Sequence, residues 1–296
     1  MQVRAVQSYV PLAQTMVPTR SRGIGHGIDA LGEDHGSLGG RQQGYLMAVK
    51  AVLFDIDGTL VDSNDLHVAA WQDVFRDIGA AFDDQTVHDQ IGKGTDMLIP
   101  TLLPDKDEAE QEALGKAHGT AFKNRYIDQV KSFAGARDLL ARVHGAGIKV
   151  VLASSASGED LEHYLDLLDV RDMVATSTTS DDVENSKPAP DIFAVALEKL
   201  GKTLGEKGET VTASEVIVVG DTPYDVEAAR KNGIATIAVR SGKFPDDVLR
   251  AAGAVALYDD VAALLADFEA SPIIAAVETD AGPAPLTDDV PGDRYD

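Results

Sequence analysis

Asp55 and Asp57 stand two residues apart at the end of an apolar run, Val49 to Phe54, and are followed by Gly58 and Thr59. Two acids so close repel each other, and burying them unpaired is costly. A divalent cation removes that penalty, and Mg²⁺ suits an oxygen-only site of this kind. One carboxylate can then attack phosphorus as a nucleophile, while the other protonates the leaving oxygen and later activates water. An Asp-Gly pair alone is a common turn signal. The whole string Phe54-Asp55-Ile56-Asp57-Gly58-Thr59-Leu60-Val61-Asp62-Ser63 is much more specific than that.

The elements around this string are those of a layered α/β protein. Val49–Phe54 reads as a buried strand of a parallel sheet, and ligands in open α/β sheets bind at the carboxyl ends of the strands. Asp55 and Asp57 therefore project where a substrate would sit, with Gly58 permitting the sharp turn after the strand. Further strands are expected at 148–153, 173–176, 216–219 and 235–239, alternating with a helix that ends at His144 and helices at 158–168, 192–200, 226–232 and 261–268. That alternation argues a parallel sheet with right-handed crossovers. Residues 64–130 carry a helical pattern instead, with Leu66, Ala69, Ala70, Val74, Phe75 and Ile78 at helical spacing. Residues 201–213 read as a surface loop.

The motif string resembles the first motif of the haloacid dehalogenase superfamily. The resemblance implies a Rossmann-like parallel sheet core, 47–63 and 132–270, with an inserted α-helical cap, 64–131, closing over the site. It implies Asp55 as the phosphorylated nucleophile and Asp57 as the general acid/base; the dehalogenase branch lacks the second Asp, so Asp57 points to phosphoryl chemistry. Ser154, after the second strand, resembles the second motif, a phosphate contact, with Ser155 an adjacent competitor. Lys187, in Lys187-Pro188-Ala189-Pro190-Asp191, resembles the third motif, where a lysine offsets the charge of Asp55 and of the transferring phosphoryl group. Gly220-Asp221-Thr222-Pro223-Tyr224-Asp225 resembles the fourth. Asp221 would be the second metal carboxylate beside Asp55, Asp57 would contribute its backbone carbonyl, and Asp225 would ligate through water or orient its neighbours. An acidic helix N-terminus is favourable by itself, so Asp225 could do both. The resemblance spans about residues 48–268.

The cap would choose the substrate. Lys93, between Gly92 and Gly94, is a candidate contact, since glycines allow close approach and the lysine adds positive charge. His67 lies early in the cap and could assist the acid/base residue. A solvated turn lysine and a structural histidine are the competing readings. Arg125 and Lys131 are weaker candidates. The expected activity is a Mg²⁺-dependent phosphatase acting on a small phosphorylated metabolite, phosphoglycolate-like or sugar-phosphate-like. A β-phosphoglucomutase-like phosphotransferase is the alternative, although such relatives tend to carry Glu-Asp where this chain has Gly220-Asp221. A non-catalytic binding protein on the same fold is a third reading, and the presence of every expected catalytic residue weighs against it.

Composition bounds these readings. The chain has 296 residues, 44% hydrophobic, enough for a sizeable core. Its formal net charge of −23 argues against binding nucleic acid or an anionic membrane surface. It also means that an anionic substrate needs a cation and selected basic residues at the site. There is no cysteine, which excludes disulfides and thiol catalysis. No secretory signal and no spanning segment are evident, so a cytoplasmic location and a monomer are the expectation. Glycine-rich residues 1–46 read as a disordered extension, with Met47 a natural beginning, and 271–296 as a disordered acidic tail.

Overall fold

The structure, a computed structural model, describes residues 48–275. The expectations for residues 1–46 and for the far part of the acidic tail lie outside the described residues.

Six strands form one sheet in the order β5-β4-β1-β6-β7-β8, every neighbouring pair parallel. They are β1 (Ala51–Phe54), β4 (Lys149–Ala153), β5 (Val174–Thr178), β6 (Val216–Gly220), β7 (Ala235–Val239) and β8 (Ala256–Tyr258). The central strands are runs of β-branched and apolar residues buried on both faces, the composition parallel strands require. Val52 and Phe54 point into one core, with Leu139, Leu140, Tyr164, Leu168 and Leu264. Ala51 and Leu53 point into the other, with Phe193, Ala196, Leu200 and Ala228. Each fully buried aliphatic or aromatic side chain contributes about 1.5–3 kcal/mol relative to exposure. The first layer of helices is α5 (Ala136–Gly145), α6 (Gly158–Leu168) and α10 (Val261–Ala266); the second is α7 (Asp191–Gly205) and α8 (Pro223–Lys231).

Between β1 and β4 the chain makes four helices: α1 (Asn64–Asp77), α2 (Asp84–His88), α3 (Thr95–Leu102) and α4 (Glu108–Arg125). These enclose their own apolar cluster around Trp71, Phe75, Ile91, Leu98 and Leu114. A two-residue antiparallel ribbon, β2 (Val61–Asp62) with β3 (Lys131–Ser132), joins the two chain passages that lead into and out of this helical layer. The pairing is too short to leave a periodic signal in the sequence.

Several boundaries differ from expectation. Helix α7 runs to Gly205, where the sequence reads as a surface loop, because Leu204 continues its apolar stripe and is buried. A sixth strand, β8, and the preceding α9 (Asp246–Ala252) were not foreseen, since both are short. The tail does not begin at Ser271: Ser271 and Ile273 are buried, and the Ser271 hydroxyl donates to the Phe268 carbonyl at 2.7 Å.

Candidate active site

The strand register brings the site together. Phe54 lies beside Leu152 of β4 and Val219 of β6, so the residues that follow these three strands meet at one edge of the sheet. One carboxylate oxygen from each of Asp55, Asp221 and Asp225 lies within 4.8 Å of the others, and all three side chains are buried. Lys187, only 1% exposed, reaches them from the loop before α7. Its Nζ lies 2.6 Å from Asp55 Oδ1 and 2.7 Å from Asp225 Oδ1.

Neutral donors hold the carboxylate oxygens that Lys187 does not reach. Thr59 Oγ1 donates to Asp221 Oδ1 at 3.0 Å and Asn64 Nδ2 to Asp221 Oδ2 at 2.9 Å. Asp225 Oδ2 accepts from the Thr222 N–H at 3.0 Å and from its hydroxyl at 2.7 Å. The Thr222 hydroxyl in turn accepts from the Asp225 N–H, a reciprocal cap that opens α8. Asp225 thus closes a helix N-terminus and faces the acidic cluster at once.

Three buried carboxylates against one ammonium leave an excess of negative charge. Burial pushes the Asp55 carboxyl up to about 7, with Asp225 and Asp57 adding to the rise and Lys187 opposing it. Burial, Asp225 and Asp55 hold Asp221 well above the usual carboxylate range. Burial pushes the Lys187 ammonium down, but Asp225 and Asp55 outweigh it and the group is held above its ordinary value. Such a cluster of hard oxygen donors fits a divalent cation, which restores charge balance.

Asp57 is treated differently. Its Oδ1 accepts from Ser63 Oγ at 2.6 Å and from the Tyr164 hydroxyl at 2.9 Å, and His67 Nε2 lies 3.3 Å away. Burial pushes this carboxyl up, yet the hydrogen bonds from His67, Ser63 and Tyr164 and the charge of His67 hold it below its usual value. The His67 ring stacks on Phe122 at 3.8 Å. Next to it, His118 stacks on Trp71 at 4.2 Å. Burial, helped by His67, keeps His118 well below the usual histidine range and so neutral.

A cavity of about 200 Å³ opens over these groups. Asp55, Asp57 and Lys187 lie at its base, and Trp71, Leu98 and His118 from the helical layer line it. Lys93 and Gly94 from the turn before α3, and Thr95 at the start of that helix, close it. Lys93 Nζ contacts Gln90 Oε1 at 2.6 Å and lies 4.8 Å from the Tyr224 ring centre; burial lowers its ammonium below the ordinary value. This turn docks on the sheet side. The Ser186 N–H donates to Asp96 Oδ2 at 3.1 Å, and the Tyr224 hydroxyl donates to the Asp89 carbonyl. A larger cleft, about 620 Å³, lies beside α1 and holds none of the acidic cluster.

The structure therefore brings Asp55, Asp57, Lys187, Asp221 and Asp225 into one place, with Lys93 and His67 at the same cavity. The two serines separate. Ser154 is fully buried and its hydroxyl accepts from the Ala156 N–H at 3.0 Å, whereas Ser155 lines the cavity. Arg125 pairs with Asp73 at 2.7 Å, and neither it nor Lys131 lines the cavity. Thr59, Ser63 and Asn64 escaped the sequence reading although they sit in or beside the first motif. Tyr164 and His118 left no signal beyond one polar tip on an otherwise apolar helix face.

The family model for haloacid dehalogenase-like hydrolases matches residues 52–239, a span that contains every residue of the acidic cluster and Lys187. The chain belongs to this family. The phosphorylated carbohydrates phosphatase of Thermotoga maritima is 30% identical over 217 residues, which are 71% of this chain and 94% of that one. The pyrophosphatase PpaX of Halalkalibacterium halodurans is 26% identical over 205 residues, 69% of this chain and 89% of its own. Among solved structures, a hydrolase from Pseudomonas syringae superposes with a TM-score of 0.67 at 27% identity, covering 75% of this chain and 98% of that one. As a haloacid dehalogenase-like hydrolase, the chain keeps the second aspartate, Asp57, and hydrogen-bonds it through three side chains. No described helix is long and apolar enough to cross a membrane.

Proposed function

We propose that this chain is a Mg²⁺-dependent phosphoric monoester hydrolase that cleaves a small phosphorylated metabolite through an aspartyl-phosphate on Asp55. The observation that carries the reading is the buried set Asp55, Asp221 and Asp225, countered among the described residues by Lys187 and set under a cavity that also holds Asp57. The named phosphatases among its relatives support it. A divalent cation held by Asp55, Asp221 and the Asp57 carbonyl, with Asp225 behind them, supplies positive charge for the phosphate oxygens.

A phosphate dianion bound beside Asp57 raises its carboxyl from the low value of the free site, so that Asp57 takes up a proton. Asp55 attacks phosphorus in line, and the bond to the leaving oxygen breaks as Asp57 delivers that proton to it. Asp57 then takes a proton from water; the water oxygen bonds to phosphorus, the bond to Asp55 breaks, and inorganic phosphate leaves. Lys187 holds Asp55 and offsets charge on the phosphoryl group. Ser155 and Ser154 contribute a hydroxyl or loop N–H groups to a phosphate oxygen. Helices α1–α4 act as a cap that excludes water from the intermediate, and Lys93 meets the leaving-group end of the substrate. His67 acts on the Asp57 carboxylate. A cavity of about 200 Å³ suits a phosphate with a short leaving group.

The test is phosphate release from a panel of phosphorylated metabolites with and without Mg²⁺. The expected result is release that needs the cation and is abolished in Asp55→Asn. Interconversion of β-phosphosugars that requires a bisphosphate activator, with no net phosphate release, would point to a mutase. No turnover of either kind would overturn the enzymatic reading.

A further inference from the structure

We propose that Tyr164 is a positioning residue that confines proton transfer by Asp57 to a single oxygen atom. The assignment rests on the phosphatase reading above, with Asp57 as the acid that protonates the leaving group. Tyr164 lies on α6 in the stripe Leu161, Tyr164, Leu165, Leu168, and is fully buried in the sheet-side core. Its hydroxyl spans from that core to Asp57 Oδ1 at 2.9 Å.

The bond could serve only the tyrosine, because a buried phenol needs a partner. The arrangement at Asp57 argues otherwise. Ser63 Oγ, at 2.6 Å, and His67 Nε2, at 3.3 Å, already face the same oxygen. Tyr164 brings a third donor to an atom with room for about two. Among the described residues, Oδ2 receives no side-chain hydrogen bond. Oδ1 is saturated, the carboxylate plane is pinned, and Oδ2 is left to give the proton to the leaving oxygen. Ser63 and His67 both belong to the entrance of the helical layer. Tyr164 alone among the three ties Asp57 to the sheet core, so it holds the orientation independently of that layer.

The consequence is specific to the leaving group. An alkoxide leaves only if it is protonated, whereas p-nitrophenolate leaves unaided. The steps up to the first irreversible bond cleavage set kcat/KM, so later hydrolysis of the aspartyl-phosphate does not blur the comparison. The measurement is kcat/KM for p-nitrophenyl phosphate and for the best alkyl ester of the panel, in wild type, Tyr164→Phe and Tyr164→Met. Positioned acid catalysis is worth about 10²–10⁴-fold, so partial misorientation should cost about tenfold or more on the alkyl ester and under about threefold on the nitrophenyl ester. The ratio of the two values is independent of the fraction of folded enzyme, so a destabilised variant still reports. Equal losses on both esters, or no loss on either, overturn the assignment while leaving the phosphatase reading intact. A wild type inactive on both esters overturns that reading and the assignment with it.

Discussion

The side chain of Asp225 fills the space that any side chain at Gly220 would need: a Cβ there would lie 2.7 Å from the Cβ of Asp225 and 2.8 Å from its Oδ2. An acid at 220 and an acid at 225 therefore exclude each other in this backbone. Where the resemblance to mutase-like relatives implies Glu-Asp, this chain has Gly220-Asp221, and the Asp225 side chain occupies the space beside Gly220. Gly220→Glu is expected to abolish phosphate release without creating mutase activity. Overpacking of this kind costs about 1–3 kcal/mol, to be read by urea denaturation. A stable Gly220→Glu enzyme that interconverts β-phosphosugars would contradict this.

Among the described residues, Lys187 is the one ammonium that meets the buried carboxylates, so its removal should be felt in stability as well as in rate. Lys187→Met leaves Asp55 and Asp225 buried without their partner. Breaking a buried pair typically costs about 3–5 kcal/mol. Added Mg²⁺ is expected to recover part of that loss by supplying charge at the same carboxylates, while activity stays absent. Urea denaturation with and without the cation gives both numbers.

The raised carboxyls set the sign of the pH dependence. Asp55 and Asp221 have an ordinary value of 3.8; burial carries the first to about 7 and the second well above the usual range. Between the unfolded and folded values, the folded state binds protons that the unfolded state has released. Stability must then fall as pH rises through that window. His118, held well below its ordinary 6.5, contributes the opposite slope below that pH, so the carboxyls are read above it: in chelator, the melting temperature should drop from about pH 6.5 to about pH 8, and saturating Mg²⁺ should flatten the slope. A melting temperature that rises over this upper range in chelator would show that the carboxylates are not under the burial stress described.

Much of this was legible in the sequence because motifs at strand ends are local. Val49–Phe54 had to be a buried strand, its last residue delivered Asp55 to the sheet edge, and the same logic placed Asp221 after β6. Lys187 was legible from its proline-flanked loop. What could not be read were contacts between elements distant in the chain. Nothing near Tyr164 announces a bond to a residue 107 positions earlier. The resemblance favours Ser154 over its competitor Ser155, yet Ser155 is the one that lines the cavity, because a one-residue difference at a strand end decides which hydroxyl faces it. Strand β8 and the ribbon β2–β3 were too short for any periodicity to emerge.

Gly94 marks where the helical layer meets the sheet side. Its φ of −75° is open to any residue, so a substitution there introduces no backbone strain. A Cβ would nonetheless lie within 2.4 Å of the Ser186 side-chain carbon and closer still to its hydroxyl. Gly94→Ala is expected to keep the fold by displacing the Ser186 side chain, at an overpacking cost of about 1–3 kcal/mol, and to lower kcat/KM by hindering closure over the cavity. Gly94→Ala combined with Ser186→Gly should restore activity, and a steady-state comparison of the two reads the contact directly.

The central claim is that Asp55 carries the phosphoryl group. The most direct test is to quench turnover with borohydride, which reduces an acyl phosphate, and to locate the altered residue by mass spectrometry. The predicted result is modification at Asp55 that depends on substrate and Mg²⁺ and is absent from Asp55→Asn. Phosphate release at an undiminished rate by Asp55→Asn, with no residue modified in the wild type, would contradict it.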